Sequence, residues 1–419
     1  MLLRTLFAGW PRENLAQIYS SGDTGDTGFF GRYYKLGERD RRLGRLFYRL
    51  KSKELDKKLT DTQNAHAVQT DRVATDSLAR RLLVNTGLYE LIFSPCVSPQ
   101  MLAWVQEFRP DVIFAQGYSL TFAMLPIKLR NKIPMKLAFF CSDDWPMYLY
   151  AGLMDEPRLL CCLIRPILRK AVARLIAATD IPLAFGHPMA MEYAARYGKH
   201  FAVLSHADSP RRFEVAKPVR VHPAGTFTIM AVGNFNRFRW PLLLDADQSC
   251  RRLNHQGISV RVAVLVSSIE PEGARRLAGA AYIDILADPG NDRLPCYLKG
   301  ADLLFLAEGF DKGFVSAIRL SISSKAHLFM FSQRPILVYA GSDTGIAGYA
   351  TTYRWARVVS QRDTAALTLA IRDLLTDAQA AGELISQANE TAHAFHSRCA
   401  NQKRFFEAMI GAATVDNQS

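Results

Sequence analysis

The sequence predicts an α/β protein built from two doubly wound, Rossmann-like domains in succession. Three observations carry this. The chain has 419 residues, 49% of them hydrophobic, more than one core accommodates, so two domains of about 200 residues each are expected. Short runs rich in Val, Ile, Leu and Phe alternate with helical patterns nearly throughout, the sequence form of parallel sheets covered on both faces. The rhythm breaks at residues 209–225, where Pro210, Pro218, Pro223 and Gly225 interrupt regular structure.

The expected division is 1–210 as an acceptor-side domain, 211–225 as a linker, 226–378 as a donor domain and 379–412 as a helical segment able to cross back. In the first domain, strands are expected at 2–8, 111–116, 135–141, 182–185 and 201–204, with helices at 120–130 and 188–197. In the second, strands are expected at 227–232, 260–266, 302–306, 336–339 and 356–359, and helices at 241–255, near Ala274 and at 323–331. The terminal segment offers Leu384, Ile385, Ala388, Ala392, Phe395 and Phe405 for burial.

Seven scattered cysteines without a CxxC pair suggest neither a zinc site nor a disulfide framework, and a cytoplasmic setting is expected. The opening MLLRTLFAGWP is too short an apolar run for a secretory signal, and no stretch of 18 apolar residues predicts a spanning helix. The net charge of +13 calls for an acidic partner: nucleotide phosphates or an anionic membrane surface. Basic residues crowd between Arg32 and Lys58, and the stretch 161–178 mixes Arg165, Arg169, Lys170 and Arg174 with apolar residues at helical spacing. Peripheral docking on the inner face of a membrane is one reading of both; a core-packed helix with a solvated face is the other for 161–178. No aromatic platform or recognition-helix pattern accompanies the charge, which argues against nucleic acid.

The most informative segment runs from Ala301 to Gly341 and reads as strand, loop, helix, turn, strand. Such an order sets the carboxyl end of a parallel strand against a helix start, where ligands of open α/β sheets bind. Ser321, Ser323 and Ser324 are hydroxyl donors there, and Arg319 and Lys325 supply charge for a diphosphate. At the end of the strand 227–232, Gly233 permits close backbone approach, and Asn234, Arg237 and Arg239 can reach phosphate oxygens. In FFCSDDWP, Asp143 and Asp144 follow the carboxyl edge of a strand, as a general base or an acceptor-orienting carboxylate requires. Gly9 and Asn14 lie in the turn after the opening run, with a helix expected from Asn14 to Tyr19, and the glycine-rich stretch 20–34 suits a mobile lid over an acceptor.

The segment Ala301 to Gly341 resembles the C-terminal half of glycosyltransferase family four, a family of GT-B fold: an aliphatic strand, a loop glutamate, then a helix ending before a Pro-Ile-Leu strand. The resemblance implies an EC 2.4 enzyme that transfers a sugar from a UDP- or GDP-sugar to a glycan or lipid-linked acceptor, with retention, in surface polysaccharide or glycolipid synthesis. It places Glu308 on the donor sugar and sets the loop at Gly9 beside the cleft. The family's second glutamate falls on Leu328 and its turn glycine on Gln333, which removes the usual acceptor of the ribose hydroxyls. A catalytically degenerate nucleotide-sugar binding protein, or a sugar-nucleotide epimerase of the same fold, is the alternative. No cofactor and no metal are expected: the nine histidines show no HxH or HExxH spacing and no DxD motif has strand context.

Overall fold

The computed structural model describes residues 2–20, 28–41, 94–117, 119–148 and 158–411. The most basic part of the cluster between Arg32 and Lys58, from Arg42 onward, lies outside the described residues, as does 21–27 of the glycine-rich stretch.

Two parallel sheets organise the chain. A four-stranded sheet has the order β3 to β6, formed by Val112–Ala115, Lys136–Cys141, Ile181–Phe185 and Ala202–Leu204; β1 (Ala16–Tyr19) and β2 (Arg32–Lys35) make a small parallel pair of their own. The second sheet has six strands: β7 (Phe227–Phe235), β8 (Val260–Ile269), β9 (Ile283–Ala287), β10 (Leu303–Ala307), β11 (Ile336–Tyr339) and β12 (Arg357–Val359). Its spatial order is β12-β11-β10-β7-β8-β9, all parallel. Chain order reverses between β7 and β10, and such a switch point opens a crevice beyond the carboxyl ends of the two strands. The central strand β10, LLFLA, is buried along its whole length, as a strand covered on both faces must be.

Helices cover both sheets. Trp240–His255 and Thr364–Thr376 pack on the outer face of the six-stranded sheet through Leu243, Ala246, Leu253, Leu367 and Ile371. The helix Arg158–Ala177 presents Leu168, Val172, Leu175 and Ile176 to the four-stranded sheet, so from Leu168 onward its apolar face belongs to the core. A third cluster joins side chains of both sheets, including Phe140 and Leu183 with Met230, Leu304 and Val338.

Four expectations are corrected. The segment expected as a first strand at 2–8 is a helix, Leu2–Leu6, whose Phe7 follows into the core against Phe114 and Phe405; a short apolar run lacks the period that separates the two states. The helix expected after Asn14 is instead a single turn, Arg12–Asn14, followed by strand β1. The end of the lid stretch is strand β2, aligned by Ala16 with Arg32 and Tyr19 with Lys35. The terminal helix is two helices, Ala378–His396 and Arg398–Gly411, broken at Ser397. The second one returns to the first half, where Asn401 Oδ1 accepts from Ser205 N–H at 3.0 Å and Phe405 is fully buried.

Among the described residues no helix is long and apolar enough to cross a membrane.

Candidate functional site

A cavity of about 730 Å³ opens at the switch point, between the carboxyl ends of β7 and β10 and the facing edge of the four-stranded sheet. Strand β7 ends in an irregularity between Gly233 and Asn234, where its register with β8 shifts. Gly233 has φ +123, and a Cβ there would lie 2.2 Å from Lys325 Cε and 2.7 Å from Lys325 Nζ. Only glycine permits this contact. It lays the Lys325 side chain across the end of β7, with the ammonium directed at the cavity wall. Burial pulls the Lys325 pKa down; the Glu308 carboxylate opposes this and the Arg239 cation adds to it. Among the described residues Lys325 Nζ has no hydrogen-bond partner.

Glu308 follows β10 and is 3% exposed. Its backbone N–H donates to Tyr339 O at 3.0 Å, continuing the sheet by one residue, and its Oε2 accepts from Arg239 Nε at 2.7 Å and Nη2 at 2.6 Å. Arg239 is positioned by aromatic packing: its guanidinium lies 5.7 Å from the Phe314 ring centre, and Phe238 stacks on Phe314 at 4.5 Å. Gly309 admits this stack, since a Cβ would come within 2.5 Å of Phe314. Two cations and one carboxylate thus meet at the switch point, with one net positive charge to offer an anion.

Ser321, Ser323, Ser324 and Asn234 line the same cavity. The helix expected at 323–331 begins only at Ala326 and has six residues. Its dipole is correspondingly small, so recognition of an anion here falls to the Lys325 ammonium and the serine hydroxyls.

Other expected residues are placed elsewhere. Arg319 does not line the cavity; its guanidinium pairs with Glu192 at 3.0 Å, across to the helix Gly186–Tyr197. The reason lies in the next residue. Leu320 is buried in the core of the four-stranded sheet, and Ile322 packs on Gly186 so closely that a Cβ there would lie 2.7 Å from Ile322 Cδ1. Residues 319–322 are therefore inserted into the first half, which turns Arg319 away. Arg237 lies over the Phe238 ring at 4.9 Å and is likewise outside the cavity lining. Asp143 lines the cavity and accepts from Ser321 Oγ at 3.0 Å, and burial pushes its carboxyl pKa up against that hydrogen bond. Asp144 is a structural carboxylate: it receives Arg196 through both oxygens at 2.8 and 3.1 Å, and Tyr193 at 3.1 Å. Gly9 and Asn14 line a separate, smaller hollow of about 480 Å³ with Trp10, Phe406 and Ile410, so the structure does not bring them to the donor residues.

Among the cavity residues that carry no sequence signal are His206, Asp208, Arg212, His327 and Arg398. Arg212 and Arg398 come from the segments that read as linker and terminal helix. His327 is on the short helix and stacks on His206 at 5.7 Å and on His396 at 6.0 Å. Among the described residues no group of three His, Cys, Asp or Glu is placed to hold a metal ion.

The same two-sheet architecture recurs in solved structures. A sucrose-phosphate synthase from Thermosynechococcus elongatus matches with a TM-score of 0.55 at 14% identity, over 84% of this chain and 86% of its own. The E. coli trehalose-6-phosphate structure bound with UDP-2-fluoro glucose matches at 0.56 and 12% identity, over 96% and 92%. A UDP-forming α,α-trehalose-phosphate synthase from Burkholderia xenovorans matches at 0.53 and 15%, over 83% and 81%. The fold is GT-B. No known protein family matches the chain by sequence, and no curated protein does. At these identities the likeness is one of architecture, and it does not single out family four. In this GT-B chain Gly233 lies in β7, Glu308 follows β10, Lys325 precedes the helix Ala326–Phe331, and Asp143 follows β4 of the four-stranded sheet.

Proposed function

We propose that this GT-B chain is a glycosyltransferase that takes a nucleotide sugar at the switch point of its six-stranded sheet. The observation that carries the reading is the convergence of the Lys325 ammonium, held over Gly233, with the buried Arg239–Glu308 pair on one cavity wall. The cations receive the diphosphate and Glu308 accepts hydroxyl groups of the donor sugar. Lys325 and the Ser323 and Ser324 hydroxyls then compensate the charge that grows on the departing phosphate. Asp143, on the opposite wall and tied to Ser321, orients the acceptor hydroxyl; with retention, the departing phosphate oxygen takes the proton. Closing the two halves aligns the reactants.

The donor is a UDP- or GDP-sugar, and the UDP-2-fluoro glucose named for the E. coli neighbour supports the former. The acceptor is a glycan or lipid-linked sugar, and the setting is polysaccharide or glycolipid assembly at an anionic inner membrane surface, which the net charge of +13 supports. A second reading, a nucleotide-sugar binding protein without turnover, is favoured by Leu328, an apolar residue in the cavity wall where the family carries a carboxylate.

Turnover of a nucleotide sugar by the wild-type protein separates the readings, and Glu308→Gln tests the role of the glutamate. It keeps the shape and one acceptor oxygen, so affinity for the nucleoside diphosphate is expected to stay within about twofold, while kcat falls about a hundredfold because the sugar loses a charged acceptor in a buried site. Equal losses of kcat and affinity in steady-state and calorimetric titrations contradict the role given to Glu308.

A further inference from the structure

Four carboxylates line the switch-point cavity: Asp143, Asp208, Asp288 and Glu308. Two of them are neutralised by guanidiniums, Glu308 by Arg239, and Asp208 by Arg398 Nη2 at 3.1 Å and by Arg212. Asp143 stands on the opposite wall, tied to Ser321. Asp288, the first residue after β9, differs from these, since among the described residues no cation pairs with it. Its Oδ2 accepts from Ser267 Oγ at 2.7 Å and its Oδ1 from the Gly290 N–H at 2.9 Å. A carboxylate offers about four lone pairs, so each oxygen keeps one with which to accept from a ligand.

The sheet sets Asp288 at a definite distance from the cations. Gly233 pairs with Val266 and Val266 with Ala287, so these three residues stand in one row across β7, β8 and β9. Asp288 directly follows Ala287. Two strand spacings, about 10 Å, therefore separate it from Gly233, over which the Lys325 side chain lies. A nucleoside diphosphate with its phosphates at Lys325 reaches that far with its ribose. The wall nearer Lys325 supplies no acceptor there, because Leu328, on the helix that follows, is apolar. Hydroxyl groups taken from water into a cavity need an acceptor, and a charged one makes the stronger hydrogen bond. A carboxylate at the carboxyl edge of an α/β sheet meets that need.

We propose, on the reading of this cavity as a nucleotide-sugar site, that Asp288 accepts the ribose hydroxyl groups of the donor and so makes the chain selective for a ribonucleotide. Ser267 and Gly290 hold the carboxylate in place while its remaining lone pairs take the hydroxyls. The nucleoside then lies across the end of β8, between the cations of the β7–β10 crevice and the loop after β9. Ribose recognition is thereby carried by the far strand of the sheet and not by the helix after Lys325. An acceptor at 288 makes the apolar residue at 328 compatible with a fully held donor.

Calorimetric titration of the full-length protein with UDP and GDP, each beside its 2′-deoxy counterpart, tests this. The wild-type protein is expected to bind its ribonucleotide about tenfold more tightly than the 2′-deoxy form, the size of one hydrogen bond to a charged acceptor. In Asp288→Ala the two forms are expected to bind alike, both more weakly than the wild-type protein binds the ribonucleotide. Asp288→Asn keeps the side-chain size and an acceptor for Gly290 N–H, and is expected to cut the preference to about threefold or less at an unchanged Tm. A disturbed loop in the alanine variant therefore does not decide the matter. Lys325→Ala is expected to weaken both forms and to leave their ratio as in the wild type. Equal wild-type affinity for the two forms, or a preference untouched by both Asp288 substitutions, overturns the proposal alone. Asp288 substitutions that change the choice between UDP and GDP and retain the hydroxyl preference assign the carboxylate to the base and also overturn it. Absence of binding by every nucleotide overturns the nucleotide-sugar reading and the proposal together.

Discussion

Lys325→Ala is expected to weaken binding of the recognised nucleoside diphosphate by about ten- to hundredfold, the size of a charge-assisted contact to an anion, with little change in Tm. The two halves of this expectation have different origins. Affinity falls because Lys325 is the one cation at the switch point that is not already committed to a carboxylate: Arg239 gives both Nε and Nη2 to Glu308. Stability does not fall with it, because Lys325 is held in a setting that lowers its pKa and makes no hydrogen bond among the described residues. Removing a desolvated cation relieves a cost, and the Arg239–Glu308 pair left behind is balanced in charge. Calorimetric titration together with thermal denaturation checks both halves. A Tm drop of many degrees with unchanged affinity makes Lys325 a structural residue and removes the diphosphate from this wall.

Acid is expected to destabilise the protein steeply below pH 6.5. His206, His327 and His396 are stacked in series near the hinge, and burial lowers each imidazole pKa, to about 4 for His206 and His396. His396 is fixed further by Nδ1 to His206 O at 2.6 Å and Nε2 to Tyr349 Oη at 2.9 Å. In the unfolded chain these side chains return to about 6.5. Above that value neither state is protonated, and the full stability is present. As the pH falls from about 6.5 towards 4, the unfolded chain takes up protons that the folded chain refuses, so stability declines by about 1.4 kcal/mol per pH unit for each histidine in that window. Denaturant titrations at pH 7 and pH 5 measure the slope, and His396→Gln, which keeps a polar side chain facing Tyr349, should reduce it by close to one proton. A slope unchanged by that substitution shows that the loss originates in other groups.

The sheets were legible because their signal is local. Strand β10 is five apolar residues in a row, and the run at 336–339 matches β11 residue for residue, since buried parallel strands write continuous hydrophobicity into the sequence. Gly233 is legible for a related reason, as the residue at which such a run stops, whereas Glu308 is singled out by the resemblance to glycosyltransferase family four. Gln333 adopts φ +55, a left-handed conformation that a side chain tolerates at some cost. Strand β9 was missed because only Ile283 is buried along IDILA, which leaves no apolar run at the sheet edge.

What was not legible depends on contacts distant in sequence. Arg319 and Lys325 are six residues apart and looked equivalent as phosphate ligands, yet the burial of Leu320 in the opposite core rotates one out of the cleft and leaves the other in it. Asp143 and Asp144 are adjacent and chemically identical. Arg196 and Tyr193, about fifty positions later, claim Asp144, and Ser321 holds Asp143 at the cavity. Arg398 pairs with Asp208 across 190 positions, a contact that no periodicity or spacing encodes. Gly9 and Asn14 were assigned on the premise of an opening strand; once that segment is a helix, the turn behind it faces the returning terminal helix instead of the cleft.

Binding of a nucleoside diphosphate sugar in the switch-point cavity is tested by thermal denaturation of the full-length protein with UDP, GDP and ADP and their common sugar conjugates. A saturable rise in Tm is expected with one of UDP or GDP and its sugar conjugate, and a much weaker one in Lys325→Ala. No shift with any nucleotide in the wild-type protein overturns the assignment of the cavity.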